Sequence, residues 1–245
     1  MFKKIRLLKR AILNNDSKIF AIIPARAGSK SIERKNLKIF KGKELYKWSI
    51  DHAIGSKSIS AIVITTDSEE IISNERDNKN IDFLIKRPAD ISGDDSPASE
   101  YIDHVLSNIP SHEYDYFCIL QPTSPLRKSK DIDDLVRCMK DKNLKNGVTV
   151  VKLDHNFNPR SLMTVSDGVG TSLNNEDEKK LLRQKKSNFY ARNGAAVYIA
   201  NIEDFRKTKK ILSENMAVLE MEKYRSIDID TDEDFKIAEA LIKIQ

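Results

Sequence analysis

Two carboxylates stand two positions apart, Asp228 and Asp230, in the stretch SIDIDTDED. In an extended strand such residues share a face, while Ile227 and Ile229 turn to the other. Hard oxygen ligands at that spacing suit Mg²⁺, which takes one or two carboxylates and fills its shell with water and phosphate oxygens. A solvated strand end whose aspartates favour the following helix has the same spacing. A second stretch is electrostatically complementary to the first. The apolar run Phe20–Pro24 is followed by ARAGSKSIERKN, which carries Arg26, Gly28, Ser29, Lys30, Arg34, Lys35 and Asn36. A small turn after a strand lets backbone N–H groups approach phosphate, and nearby cations neutralise it. Neither GxxxxGK[ST] nor GxGxxG is present, so the loop is either anion-binding outside the two common nucleotide fingerprints or an ordinary basic surface loop. Three more loops flank strand-like runs: RPADISGDDSP from Arg87, LQPTSPLR with Gln121 and Arg127, and RNGAAVYIA with Asn193.

The elements that must position these residues show in the hydrophobic periodicity. Short β-branched runs are predicted as strands at 20–24, 61–66, 82–85, 116–120, 148–153, 195–200 and 226–230. Longer periodic stretches between them predict helices at 45–54, 68–77, 98–109 and 131–140. This alternation predicts a parallel sheet with helices on both faces, which binds ligands beyond the carboxyl ends of its strands. Residues 154–192 break the rhythm. They are polar, with turn signals at Asn158-Pro159 and Asp167-Gly168, and too long for a structureless loop, so they are read as an inserted arm or hairpin that reaches a partner subunit or covers the site. A final helix is predicted to begin at Thr231, with Asp232, Glu233 and Asp234 loading its first turn.

Composition narrows the class. The chain has 245 residues, 40% of them apolar, which suits one large domain with a real core. No apolar run approaches the ~20 residues of a membrane span. Two cysteines without CxxC spacing and four scattered histidines predict neither zinc nor a redox pair, and fit a reducing cytoplasm. The net charge of +5 is modest and spread along the chain; no zinc-finger, RNP or long basic pattern predicts nucleic-acid binding. Residues 1–18 form a basic extension with Phe2, Ile5, Leu8 and Ile12 at helical spacing. Such a segment can lie on an anionic membrane, but the plainer expectation is an extension packed on the domain or fraying in solvent. The remainder, 19–245, is read as a single domain.

Taken together, ARAGSKSIERKN, TTDS, RPADISGDDSP, LQPTSPLR, RNGAAVYI and SIDIDTDED form an ordered series that resembles the cytidylyltransferases activating sialic acid and related nonulosonic acids. The resemblance runs from about Phe20 to the C-terminus. It implies a Rossmann-like α/β nucleotidyltransferase, mostly parallel, with an inserted dimerisation arm. It further implies transfer of CMP from CTP to the anomeric hydroxyl of a nonulosonic acid, with release of pyrophosphate. Carried over by motif, Arg26, Lys30 and Lys35 act on the phosphates with Ser29. Asn36, Arg87 and Ser96 surround the cytidine, Gln121 contacts the sugar acid, and Arg183, Gln184 and Asn193 bind near the sugar or the phosphates. Asp228 and Asp230 hold Mg²⁺ (or Mn²⁺), and the partner is a second copy of the chain. Ser31, Ser96 and Arg192 depart from the family pattern. A cytidylyltransferase for the eight-carbon Kdo, or a nucleotidyltransferase for a sugar phosphate, is the alternative enzyme. A non-catalytic nucleotide-binding module leaves the carboxylate pair and the ordered loops without a role.

Overall fold

The computed structural model describes residues 17–29, 31–154, 157, 162–172, 188–192 and 196–242. In chain order the strands are β1 (Ile19–Pro24), β2 (Ile39–Phe40), β3 (Lys43–Glu44), β4 (Ile59–Thr66), β5 (Phe83–Lys86), β6 (Tyr116–Ile119), β7 (Asn146–Lys152), β8 (Met163–Ser166), β9 (Val169–Ser172), β10 (Tyr190–Arg192), β11 (Tyr198–Asn201) and β12 (Ala217–Glu220). The helices are α1 (Leu45–Gly55), α2 (Glu69–Glu75), α3 (Ala98–Asn108), α4 (Ser129–Asp141), α5 (Ile202–Thr208) and α6 (Asp232–Leu241).

Strand β1 is the centre of the sheet. Its alternating side chains divide between two cores: Ala21 and Ile23 pack with Tyr46, Ile50 and Ala53 of α1 and with Ile132, Leu135, Val136 and Met139 of α4. Phe20 and Ile22 pack on the opposite face with Tyr101, Ile102, Val105 and Leu106 of α3 and Phe205 of α5. The period of two along the strand and the i, i+3, i+4, i+7 spacing on α4 are what bury both faces. Strands β6, β1, β4 and β5 run parallel in that spatial order. The chain goes from β1 to β4 and β5 on one side, then returns to β6 on the other. The order therefore reverses between β1 and β6, the point at which such sheets bind ligands.

The sheet is more mixed than the alternation predicts. Strand β11 is antiparallel to both β6 and β7, and β10 continues antiparallel along the same edge of β7, while β12 runs parallel on its far edge. Gly147 on β7 has a packing reason: a Cβ there would meet Met139 Sδ at 2.8 Å and Leu135 Cδ1 at 3.0 Å, so α4 can sit this close only on a bare backbone. The region read as an arm contains the hairpin β8–β9, whose central residues Asp167 (φ 50) and Gly168 (φ 80) both lie at positive φ, as a two-residue type I′ connection requires. The rest of the arm and residues 1–16 of the extension lie largely or wholly outside the described residues. Lys18 is already tied to the domain, its N–H donating to Asp115 Oδ2 at 2.8 Å. No described helix is long and apolar enough to cross a membrane.

One sequence expectation is overturned. Residues 226–230 do not form a sheet strand. Their backbone is bound instead to the loop after β6, Ile229 N–H donating to Thr123 O at 2.8 Å. Ile229 does turn inward, into a third core with Ile32, Phe40, Leu126 and Phe235. The segment is anchored upstream by Arg225, which reaches Asp131 at the start of α4 across 2.5 Å; both side chains are under one-tenth exposed. Asp131→Ala is expected to lower unfolding stability by about 3 kcal/mol, because it leaves a buried guanidinium with Glu222 as its remaining acid. A urea midpoint unchanged from the parent would disprove that anchoring role.

Candidate active site

A cavity of about 300 Å³ opens beyond the carboxyl ends of β1, β5 and β6. Each strand delivers one functional segment to it. β1 ends at Pro24 and releases the loop with Arg26, Gly28 and Ser29; β5 is followed at once by Arg87; β6 is followed by Gln121, Pro122 and Thr123. The sequence places these polar residues where the ladder ends, so the sheet fixes their start points and leaves the loops free to converge.

The phosphate-side loop is held from below. Ala27 N–H donates to Asp67 Oδ1 at 2.7 Å, and Asn36 Nδ2 donates to Arg26 O at 2.8 Å. Asn36 is buried and also lines the cavity, so its amide nitrogen serves the loop backbone as well as the opening. Lys35 begins a 3₁₀ turn, Lys35–Leu37, and its side chain is only 12% exposed. It donates to Ile229 O at 2.9 Å and to Asp230 Oδ1 at 3.1 Å. The cationic loop and the carboxylate segment, almost two hundred residues apart, thus meet in one place. Arg26 is paired across the cavity with Asp94, at 2.5 Å. Both cations thus have acidic partners within the site.

On the opposite wall Arg87 is 5% exposed. Its Nη2 donates to Thr65 O at 3.1 Å and its Nε to Thr65 Oγ1 at 3.3 Å, while its guanidinium stacks 4.7 Å from the Tyr101 ring. Burial lowers its pKa; guanidinium nevertheless stays charged at neutral pH. Ser96 lines the same wall, its hydroxyl 3.4 Å from Asp90 O.

The two aspartates are unequal, which the shared-face expectation did not include. The Asp230 side chain is 70% exposed and lines the cavity. Asp228 is half-buried beside Thr123, and its Oδ1 is buried without a hydrogen-bond partner, as is the Thr123 hydroxyl. Burial, and then the like charge of Asp230, pushes the Asp228 carboxyl up to about 6, while the nearby Thr123 hydroxyl and Lys35 ammonium act the other way. The Thr123 hydroxyl beside it eases that cost, but a half-buried carboxylate so sparsely bonded is costly to keep. A divalent cation would supply its missing partner, and two aspartates match Mg²⁺ or Mn²⁺ completed by water and phosphate. Among the described residues no group of three or more His, Cys, Asp or Glu could hold a metal.

Of the expected site residues, the cavity lining brings together Arg26, Ser29, Lys35, Asn36, Arg87, Ser96, Gln121 and Asp230. Asp228 stands beside Thr123 of that lining. Lys30, Arg183, Gln184 and Asn193 lie outside the described residues. Sequence reasoning gave no role to Asp94, Tyr101 or Thr123, which also line it. Asp94 sat in a motif already singled out; Tyr101 looked like one more apolar position on α3, and only the fold turns it toward Arg87.

These features define a Rossmann-like α/β nucleotidyltransferase fold with a crevice lined by Arg26, Lys35 and Arg87. Among solved structures the chain is similar to a CMP:2-keto-3-deoxy-manno-octonic acid synthetase complexed with CTP, with a TM-score of 0.68 over 93% of this chain and 99% of that one. At 14% identity that likeness concerns the fold alone. A family model described as cytidylyltransferase matches residues 20–244. The chain is 33% identical to an N-acylneuraminate cytidylyltransferase of Escherichia coli over 91% of its own length and 51% of that protein's. It is 30% identical to the CMP-N,N'-diacetyllegionaminic acid synthase of Legionella pneumophila, over 93% and 97% of the two chains. It therefore spans about half the length of the first relative and nearly all of the second. The chain belongs to the cytidylyltransferase family.

Proposed function

We propose that this protein transfers CMP from CTP to the anomeric hydroxyl of a nonulosonic acid, releasing pyrophosphate. The observation that carries the proposal is the meeting of Lys35 with Asp230 at the mouth of a cavity that also holds Arg26, Arg87 and Gln121. A triphosphate needs cations along its length, and a hydroxyl attacking the α-phosphorus needs an acceptor pocket in line with it. Arg26, with Lys30, takes the leaving pyrophosphate, and Ser29 adds a hydroxyl to the phosphate-side loop. Lys35 faces the α-phosphoryl group. Arg87, Asn36 and Ser96 surround the cytidine; Gln121 faces the sugar acid together with Arg183, Gln184 and Asn193. Asp228 and Asp230 would hold Mg²⁺ or Mn²⁺, whose charge would offset that of the phosphates. The protein's own contribution is charge placed in advance and orientation of the two substrates.

The named relatives favour a nine-carbon acid over the alternatives: their names include N-acylneuraminate, N,N'-diacetyllegionaminic acid and pseudaminic acid. The test is pyrophosphate release with CTP, Mg²⁺ and a panel of nonulosonic acids, with Kdo and a sugar phosphate as comparison arms. Release with Kdo alone, or formation of a nucleoside diphosphate sugar, would replace this reading with one of the other enzymes.

The working unit we propose is a homodimer in a reducing cytoplasmic setting. The hairpin β8–β9 supports it: Met163 and Val165, which share one of its faces, are each more than 60% exposed, an apolar surface suited to a second copy. Val165→Glu is expected to shift the sedimenting species from dimer toward monomer; an unaltered coefficient would place the contact elsewhere.

A further inference from the structure

Arg127 is the largest fully buried side chain in the described structure, and only 1% of it is exposed. Among the described residues no carboxylate pairs with it, and its Nε has no hydrogen-bond partner. Burial pulls its pKa down to about 10, with the more distant Asp131 and Asp228 acting in the opposite sense. A buried cation without a paired anion is an expensive way to fill a core, since an apolar side chain of similar volume would be cheaper. What the guanidinium supplies is a rigid fork. Its Nη1 donates to Gln121 O at 2.9 Å and to Ala196 O at 2.7 Å, and its Nη2 donates to the Ser49 hydroxyl of α1. The Ser49 hydroxyl in turn lies 3.3 Å from Gln121 O.

These two carbonyls belong to two different segments. Gln121 lines the cavity just beyond β6, and Ala196 stands three positions after Asn193 on the approach to β11. Among the described residues its hydrogen bonds go to Gln121, Ala196 and Ser49, and none goes to the cationic loop or to Arg87. We propose that Arg127 is a positioning residue for the acceptor half of the site, fixing the segments of Gln121 and Ala196 relative to each other while leaving the nucleotide half untouched. This rests on the assignment of Gln121 to the sugar acid. The mechanism is geometric. One planar group spans two carbonyls that stand opposite each other just past the end of the β6–β11 ladder, at the Ile119–Tyr198 pair, and misplacing a substrate-facing group by an ångström is costly to rate.

The test uses the full chain with Arg127→Lys and Ser49→Ala. A lysine keeps the charge but cannot reproduce the fork. For R127K the acid substrate's kcat/KM is expected to fall about 10–100-fold while the equilibrium Kd for CTP stays within about twofold of the parent. S49A, the milder variant, should move the same constant in the same direction by less. Amide exchange should speed up at Leu120 and Gln121 and at residues 196–198 in R127K but not in β1 or β4. Equal losses on CTP and acid, or a lowered melting temperature with unchanged kinetic constants and unchanged exchange at those segments, would overturn the proposal. If the parent protein releases no pyrophosphate with any acid, the proposed function fails. The exchange data then still decide whether Arg127 holds the two segments. If R127K does not fold, S49A decides by the same comparison.

Discussion

Lys35→Met is expected to lower kcat/KM for CTP by about 10²–10³-fold, the scale of losing one preorganised charged donor at a reacting phosphate. The size follows from position rather than charge alone. The side chain is 12% exposed and its ammonium is bonded to both Ile229 O and Asp230 Oδ1, so its removal deletes a phosphate cation and unties the carboxylate segment from the cationic loop. Lys35→Arg separates the two effects. It keeps the charge in a planar group that cannot occupy the same point, and should lose about tenfold. Initial rates of pyrophosphate release across a CTP series measure both. A Lys35→Met enzyme within about threefold of the parent would remove Lys35 from the chemistry.

Asp228→Asn is the second large effect, and its two consequences have opposite signs. Turnover at limiting Mg²⁺ should fall by about 10²-fold, with partial recovery as the metal is raised, because an amide is a weak ligand for a hard cation. Thermal stability without metal should hold or rise, because the amide removes charge from a half-buried position whose Oδ1 has no partner. That combination is the signature of a group kept for function at the expense of stability. A variant that loses stability and keeps its turnover would mark Asp228 as structural. Chelating the divalent ion from the parent enzyme should likewise abolish pyrophosphate release, with recovery on adding Mg²⁺ or Mn²⁺.

The segment carrying Asp230 is held by the cap of the helix that follows it. Thr231 caps α6, its hydroxyl accepting from Asp234 N–H at 3.2 Å, while the Asp234 carboxylate accepts from Thr231 N–H at 2.8 Å. Asp230 N–H donates to the same carboxylate at 3.2 Å. The reciprocal cap therefore fixes the backbone of the residue that meets Lys35. The acidic first turn predicted from the sequence serves the helix and the site together.

Local signals decided much of this protein before any tertiary contact. Strand β1 and the helices α1, α3 and α4 follow from apolar periodicity, because burial of one helix face or both sheet faces leaves a pattern within ten residues. The Thr231 cap follows from residue types three apart for the same reason. The ordered motifs from Arg26 to Asp230 were legible as a family series. What the sequence did not determine was set by contacts between distant segments. Residues 226–230 have the composition of a strand, but the β6 loop takes their backbone bond at Thr123, so they are an extended strap rather than a ladder member. The inequality of Asp228 and Asp230 depends on which side of that strap the fold covers. The antiparallel entry of β11 between β6 and β7 depends on chain direction, which side-chain alternation does not encode. Arg127 was visible in its motif as one more cation. That it lies buried, bridging two loops seventy-five residues apart, could be decided only when the chain closed around it, because a hydrogen bond to a backbone carbonyl leaves no mark on the identity of the residue that accepts it.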